Sequence, residues 1–476
     1  MIYGFSGILL KLISLITFPI FAHYFPPSAY GLIGVLTSLS LVLMTLSGVG
    51  MEAAAFRFFF DKEDINYKYS IFTTWFFGRL VLTFVAISIV YLFLRKWLIV
   101  HYLDSDQAHL LLVIVLATLP FSIIPSIINI WLVINKKAFY SLLFSVLLTI
   151  LSAGLSLLFV FAFKLQVVGF FLGQAVAYTV ASIFGYFLFR SRKKSFRFDF
   201  TLLKSMIRYG LKVIPATLSN NFLLFFATLI ILTITSQHLL GIFQVGYTIA
   251  TVILFFTAGF SQAFIPFSLS LKDEEFNYFC KWSLDIYVSL MSFICFSIGI
   301  LYHEIIALLF GIKYSGSIEV AGILTFSNFI LSIGTIASIS FVKTKKVGLY
   351  GIIVFSGNLI HLLLLYILTT NFGLQGASVS FLIISLLVVS TMFYFSNNIL
   401  QIPFQLVKNL LILLFFLAFY YFIASIQVPY ISDFLSKILF IVLGGIIISL
   451  INYTNIKKGL NLFKQFKKFK EKLSQS

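Results

Sequence analysis

Charge is scarce in this chain, and acid scarcer still: Asp and Glu number 15 against 33 Lys and Arg in 476 residues, and charged types together make up 10%. Soluble domains carry about a quarter charged residues, so a water-facing globular surface is excluded. Cysteine occurs twice, at Cys280 and Cys295, in or beside one apolar run. That is too few, in too apolar a setting, for a disulfide framework or a metal site, and two packed thiols are expected. The six histidines show no metal-ligand spacing, and no Gly-rich phosphate loop or nucleotide motif occurs. The first apolar run begins at Met1 with no basic segment ahead of it, which argues against a cleaved signal peptide and makes 1–25 the first membrane span.

What fills the chain is apolar: 61% of residues are hydrophobic and the mean hydropathy is +1.07. Runs of about 20 apolar residues recur, each long enough to cross about 30 Å of hydrocarbon as a helix. The expected fold is all-α, a polytopic membrane protein of about fourteen transmembrane helices. Their limits fall near 1–25, 30–53, 70–94, 108–133, 139–163, 166–189, 208–234, 239–269, 282–302, 319–342, 347–370, 374–396, 407–427 and 433–453. Loops after even-numbered spans, with the tail, hold 25 Lys and Arg, whereas odd-numbered loops hold five: Arg95, Lys96, Lys164, Lys313 and Lys437. The positive-inside rule then places both termini in the cytoplasm. The net charge of +18 calls for no nucleic acid, because it lies at the inner membrane face. In the tail, Leu462, Phe466, Phe469 and Leu473 recur at helical spacing with lysines between them, as an in-plane helix on membrane lipid requires.

Three cations remain inside spans: Lys11, Arg79 and Lys212. Ionisable groups in hydrocarbon are expensive and mark function, internal pairing or snorkelling. With His361 they are candidate cavity cations for an anionic substrate, Arg suiting bidentate phosphate contact and Lys acting as a point charge. Asn220, Asn221, Gln262 and Asn358 are candidate sugar contacts, as are Asn129, Gln244 and Asn328, although interhelical amide contacts read equally well. Pro215 and Pro266 are candidate bending points. Asp285 begins span nine four residues after Lys281, and an i, i+4 ion pair is expected there.

"GVGMEAAAFRFFFD" closes the second span with Glu52 and Arg57 five residues apart, about 140° of helix rotation. They do not share a face. Arg57 is expected to reach Asp61, while Glu52 shares a small-residue stripe with Gly48 and Ala55 and has Lys212 as its expected partner; Glu52, Arg57, Pro215 and Pro266 are the candidate gate residues.

The chain also repeats itself. "NKKAFY" at 135–140 and "TKKVGL" at 344–349 are 209 positions apart, as are the two "LQ" pairs at 165–166 and 374–375. At an offset of 210, Gly31, Val35 and Ala53 match Gly241, Val245 and Ala263, which pairs Glu52 with Gln262. Six spans separate equivalents, so the halves share one orientation. The expected architecture is two parallel six-helix bundles around a central cavity, at 1–190 and 208–396, joined by a linker at 191–207. Two additional helices at 404–453 and a basic amphipathic tail at 454–476 follow.

Six plus six plus two spans, with "FPPSAYGLIGV", "GVGMEAAAFRFF", "FDFTLLKSMIRYGLKVIP" and "GFSQAFIPF" in that order, resemble the polysaccharide exporters and oligosaccharide flippases of the multidrug/oligosaccharidyl-lipid/polysaccharide superfamily. The resemblance covers essentially the whole chain. It implies translocation of undecaprenyl-diphosphate-linked oligosaccharide repeat units by alternating access across the bacterial cytoplasmic membrane. Membrane lipids, a polysaccharide polymerase and a chain-length regulator are the implied partners. One departure stands out: span seven often continues into an Asp-Arg pair, and this chain reads "NNFLLFFATLI".

A multidrug exporter of the same superfamily is the nearest alternative, but cationic drugs call for acids in the cavity, and spans one and seven carry lysine and no acid. A membrane-embedded polysaccharide polymerase would need an accessible acid, base or nucleophile and a substantial outer loop, and the loops are short. The chain is therefore expected not to be an enzyme and to hold no cofactor. Its energy is expected from a substrate gradient or a coupling ion, H+ or Na+.

Overall fold

The structure, a computed structural model, describes residues 10, 13, 16–61, 63–103, 106–135, 137–190, 198–402, 404–424 and 434–450; the side chains of 185–190, 212–220, 273–274, 417 and 419–424 are not described. Every regular element among these residues is helical. The first is α1 (16–24). Next come α2 (Pro27–Gly48), α3 (Met51–Phe58) and α4 (Ile65–Ile89), which continues through a π turn at Val90–Leu94 into α5 (Arg95–Tyr102). Then follow α6 (Ala108–Ile134), α7 (Ala138–Leu157) with a π turn at Leu158–Ala162, α8 (Gln166–Arg190), α9 (Phe200–Ile234), α10 (Gln237–Ala250), α11 (Ile253–Ser270) and α12 (Asp273–Ile300). The chain ends in α13 (Tyr302–Leu309), a 3₁₀ turn at Ile312–Tyr314, α14 (Ser317–Lys343), α15 (Val347–Leu400), α16 (Leu406–Ala424) and α17 (434–450).

Among the described residues nine helical stretches are long and apolar enough to cross a membrane, which makes this a multi-pass membrane protein. One of them, α15, has 54 residues, about 80 Å at 1.5 Å per residue, too long for one crossing. Gly373, at φ 57° and ψ −138°, folds it into a hairpin at the division expected between spans eleven and twelve. The limbs run antiparallel: a β-carbon on Gly357 would meet Val388, and one on Gly376 would meet the Leu368 carbonyl.

Apolar packing divides the molecule along its length. At the end where the sequence has few cations, one core joins both halves, with Leu36, Leu112 and Val160 from the first and Leu240, Tyr314 and Leu365 from the second. At the cation-rich end there are two cores that share no helix. One is built from α3, α4, α6 and the start of α9 (Met51, Trp75, Ile127, Met206), the other from α11, α12, α14 and α15 (Phe264, Tyr287, Phe341, Met392). A smaller cluster of Phe296, Ile300, Ile412 and Phe416 fastens α16 to α12.

The sequence repeat is written into the backbone. Lys137 N–H bonds to Leu132 O at 2.9 Å, and 209 positions later Lys346 N–H bonds to Phe341 O at 2.8 Å; Asn135 to Trp131 and Thr344 to Ser340 match in the same way, both at 3.1 Å. Lys164 (φ 54°) and Gly373 (φ 57°) are left-handed at the same offset. Gly31 and Gly241 pack against each other reciprocally, a β-carbon on the first meeting Gln237 O and one on the second meeting Pro27 O. Reciprocal contact between equivalent residues is what a two-fold relation imposes.

Three local expectations need correction. The second span does not run smoothly through Glu52, because Val49 (φ 44°) and Gly50 (φ 64°) are both left-handed and split it into α2 and α3. A stripe from Gly48 to Glu52 therefore has no continuous helix to lie on. The eighth span is interrupted at Thr251–Val252 and not at Pro266, which sits inside an unbroken α11. The Asn328 amide donates to Ala250 O at 3.1 Å, satisfying a carbonyl freed by that interruption. Finally, α9 begins at Phe200 and not near 208, since the Asp199 carboxylate accepts from the N–H groups of Thr201 and Leu202 at 2.8 and 3.0 Å, an N-cap.

Candidate functional site

The cation-rich ends of α2, α3, α4 and α9 meet at one polar junction. Its geometry follows from glycine. A β-carbon on Gly210 would lie 1.9 Å from Val49 O and one on Gly50 2.6 Å from Gly210 O, so α9 touches the α2–α3 break backbone to backbone. The break directs α3 toward α4 and carries Glu52 to Arg79.

Arg79 Nη1 donates to Glu52 Oε1 at 2.8 Å. The guanidinium side chain is 4% exposed and the carboxylate side chain 50% exposed, so the cation is enclosed and its counter-charge is half in the open. Nη2 reaches Met44 O at 3.5 Å, and Nε is buried with no partner among the described residues. Gly48 leaves room for the guanidinium, since a β-carbon there would stand 3.9 Å from Cζ. About one turn away, Asn221 Nδ2 of α9 donates to Thr45 Oγ1 of α2 at 2.8 Å, bridging the two halves. Gln244 of α10 lies over Gly34 of α2 nearer the other end.

The residues singled out in the sequence are thus distributed unevenly. Arg79, Glu52 and Asn221 lie at this junction, and Glu52 pairs with Arg79, 27 residues along the chain; the Lys212 side chain, expected as the partner of Glu52, lies outside the described residues. Arg57 pairs with Asp61 as its spacing predicts. Lys11 lies outside the described residues, as do the side chains of Lys212, Pro215 and Asn220. Gln262 is exposed on α11. His361 is fully buried inside the α15 hairpin, with Nε2 3.1 Å from Ser380 Oγ and its ring edge-on to Phe381, so it presents no surface to a cavity. Asn358 lies one turn before it, with Nδ2 buried and unpartnered among the described residues. Asn129 accepts from Ser141, an interhelical contact between α6 and α7.

Asp285 is corrected as well. Its carboxylate accepts from Lys408 Nζ at 3.0 Å and from Asn409 Nδ2 at 2.9 Å, both on α16, and not from Lys281. Burial decides this: Asp285 is 5% exposed and faces α16, where two donors replace lost water. Thr45 and Gly210 carry the junction but had no signal in the sequence beyond a polar or small residue in an apolar run. Among the described residues no three His, Cys, Asp or Glu side chains gather as a metal site would require.

A family model described as "Polysaccharide biosynthesis protein" matches residues 1–272, more than half of the chain. The chain belongs to that family. Its fold is that of the multidrug/oligosaccharidyl-lipid/polysaccharide superfamily. A structure titled "Lipid II flippase MurJ, inward closed conformation" aligns with a TM-score of 0.77 at 16% identity, over 95% of this chain and 99% of that one. An inward-facing multidrug resistance MATE family transporter aligns with a TM-score of 0.62 at 15% identity, over 82% and 94%. An outward-facing MATE transporter gives 0.54 at 18%, over 84% and 93%. A comparison with curated proteins returned no match. The chain thus shares its fold with structures of a lipid II flippase and of MATE transporters.

Proposed function

We propose that this family member flips undecaprenyl-diphosphate-linked oligosaccharide repeat units across the bacterial cytoplasmic membrane by alternating access, for surface polysaccharide synthesis. The observation that carries this reading is the alignment of 95% of the chain with a lipid II flippase structure, in a chain of a polysaccharide biosynthesis family. Lys and Arg distribution puts both termini in the cytoplasm. The bundles at 1–190 and 208–396 are the two moving bodies, with 404–453 outside them. A core shared at one end and divided at the other suits a substrate admitted from the cytoplasmic end.

At the junction, Arg79 is the cation and Glu52 its resident anion. A lipid diphosphate entering there replaces the half-exposed carboxylate on the guanidinium, an exchange of one charge-assisted contact for another. Asn221 and Thr45 hold the halves together until it arrives. Glu52 so released can take a coupling H+ or Na+; no cofactor and no bond-making chemistry enters. A polymerase and a chain-length regulator act on the product.

The MATE-like fold favours multidrug export as the second reading. It needs an acid free to meet a cationic drug, and Glu52 and Asp285 are both engaged, Glu52 by Arg79 and Asp285 by Lys408 and Asn409. Reconstituted vesicles with a fluorescent undecaprenyl-diphosphate oligosaccharide separate the two. Wild type should move the probe between leaflets, and replacing Lys11 and Arg79 together by glutamine should abolish that movement at unchanged protein level. Full transport by the double variant would sink the assignment, and export of a cationic dye with no lipid movement would favour the rival.

A further inference from the structure

At the cation-poor end, parts of both halves terminate around one apolar groove of about 550 Å³. Its walls are Pro19, Ile20 and Tyr24 of α1, Phe161 of the π turn after α7, and Leu308 and Leu309 at the end of α13. The Tyr24 and Phe161 rings pack 4.9 Å apart and close one side. Leu308 is 77% exposed. Leu308 lies just past the end of span nine, so the groove opens at the outer rim of the bundle, and an apolar side chain that open marks a surface suited to an apolar ligand.

The mouth is polar. His23 also lines the groove, with Nδ1 3.1 Å from Pro19 O. Beside it Lys313, from the 3₁₀ turn after α13, donates to His23 O at 2.9 Å and Phe25 O at 2.7 Å, and Tyr314 donates to Phe25 O at 3.1 Å. These carbonyls are at the end of α1, where helical partners run out. An ammonium has three donors, and the two carbonyls engage two of them. Desolvation holds the Lys313 pKa below the usual lysine value, a penalty a nearby anion would offset. Cations are disfavoured at this end by the positive-inside rule, yet Lys313 stands against His23 of the groove's lining.

We infer that this groove binds an anionic lipid, one hydrocarbon chain lying along Ile20, Tyr24, Phe161 and Leu308 and its phosphate resting on the Lys313 ammonium. The site is separate from the Arg79 junction and stands whether or not the proposed transport reaction is correct. Its chemistry distinguishes it from a general lipid coat: the walls accept any acyl chain, but the mouth favours a net negative headgroup.

Native mass spectrometry of the full chain in detergent, with equimolar dioleoylphosphatidylglycerol and dioleoylphosphatidylcholine, tests this with chains held constant. The first tightly retained lipid should be phosphatidylglycerol by about fivefold, the scale of one lysine at a membrane surface. Lys313→Gln should bring the ratio to parity and Lys313→Arg should keep it. Leu308→Trp, at an exposed position that does not endanger folding, should reduce retention of both lipids by filling the groove. Equal retention by wild type, a preference that survives Lys313→Gln, or unchanged retention in Leu308→Trp would overturn the site; the last variant decides even where Lys313→Gln fails to fold.

Discussion

Gly31 and Gly241 stand face to face at the cation-poor end, each so close to the opposite helix that a β-carbon on Gly31 would lie 2.2 Å from Gln237 O and one on Gly241 1.8 Å from Pro27 O. Backbone cannot yield as a flexible side chain does, so α2 and α10 must separate to admit even a methyl group. Gly241→Ala is expected to cost about 1–3 kcal/mol, the scale of overpacking, and to lower the thermal midpoint of the purified protein. Gly31→Ala should act likewise, and the double variant should cost less than the sum because both open one contact. Tyr30, 4% exposed beside this contact, supplies the reporter: cysteine at position 30 should react with a maleimide faster in Gly241→Ala than in the glycine parent. Unchanged labelling and unchanged midpoint would mean that the contact does not close this end.

Arg79 and Glu52 make an unequal pair, and the inequality predicts an order of costs. Removing Glu52 strands an enclosed guanidinium, whereas removing Arg79 leaves a carboxylate already half in the open. Breaking a fully buried pair costs about 3–5 kcal/mol, and the exposure of Glu52 lowers the figure here to about 1–3 kcal/mol. Glu52→Ala should therefore lower the unfolding midpoint more than Arg79→Gln does. The double variant Glu52→Ala with Arg79→Met should regain part of the loss, because no unpaired charge remains. Equal costs for the two single changes would show that Arg79 finds another counter-charge.

The helical, membrane-spanning fold was legible because hydropathy reports burial in lipid directly: nine described stretches are long and apolar enough to cross, and α15 holds the two ranges expected at 347–370 and 374–396. The repeat was legible from few identities because those residues do backbone work, Lys137 and Lys346 closing the same turn, Lys164 and Gly373 adopting the same left-handed φ, and two glycines meeting across the axis. Long-range pairing was not legible. Asp285 was read with its neighbour Lys281 because spacing along one helix is visible in a sequence, while Lys408, 123 residues away, is not. The contact of Glu52 with Arg79 was hidden for the same reason, and so was the break before it, because Val49 adopts a left-handed φ that β-branched residues avoid. His361 shows the converse: a polar residue at mid-span marks either a cavity or a packed contact, and only the Ser380 hydroxyl opposite it decides.

Gly373 and Lys164 occupy equivalent turns with one residue type suited to the conformation and one not. No atom lies within 4 Å of where a Gly373 β-carbon would stand, so Gly373→Ala tests backbone conformation alone. At φ 57° and ψ −138° a side chain is strained by about 1–3 kcal/mol, and the hairpin limbs should open more readily. Lys164→Gly removes a left-handed lysine at the cost of extra chain entropy, and should leave stability within about 1 kcal/mol of wild type. Thermal midpoints compared in one detergent check both. A Gly373→Ala protein as stable as wild type would show that the turn relaxes to a right-handed conformation.

Asp285 holds α16 against α12 through two side chains of that helix, Lys408 and Asn409, backed by the Phe296, Ile300, Ile412 and Phe416 cluster. Lys408 is the replaceable member, since its side chain is 43% exposed and can turn to water. Asn409, 5% exposed, cannot, so loss of the carboxylate leaves its amide with only the Gln405 carbonyl at 3.1 Å. Asp285→Ala should therefore loosen α16 selectively, by about 1–3 kcal/mol for the unsatisfied donor. Hydrogen exchange followed by mass spectrometry should show faster exchange over 406–416 and little change over α14 or the α15 hairpin, whose contacts lie elsewhere. Asp285→Asn, which still accepts from Asn409 and loses only the charge, should exchange more slowly than Asp285→Ala. If the whole second half lost protection together, α16 would be part of that core and not a helix fastened to it.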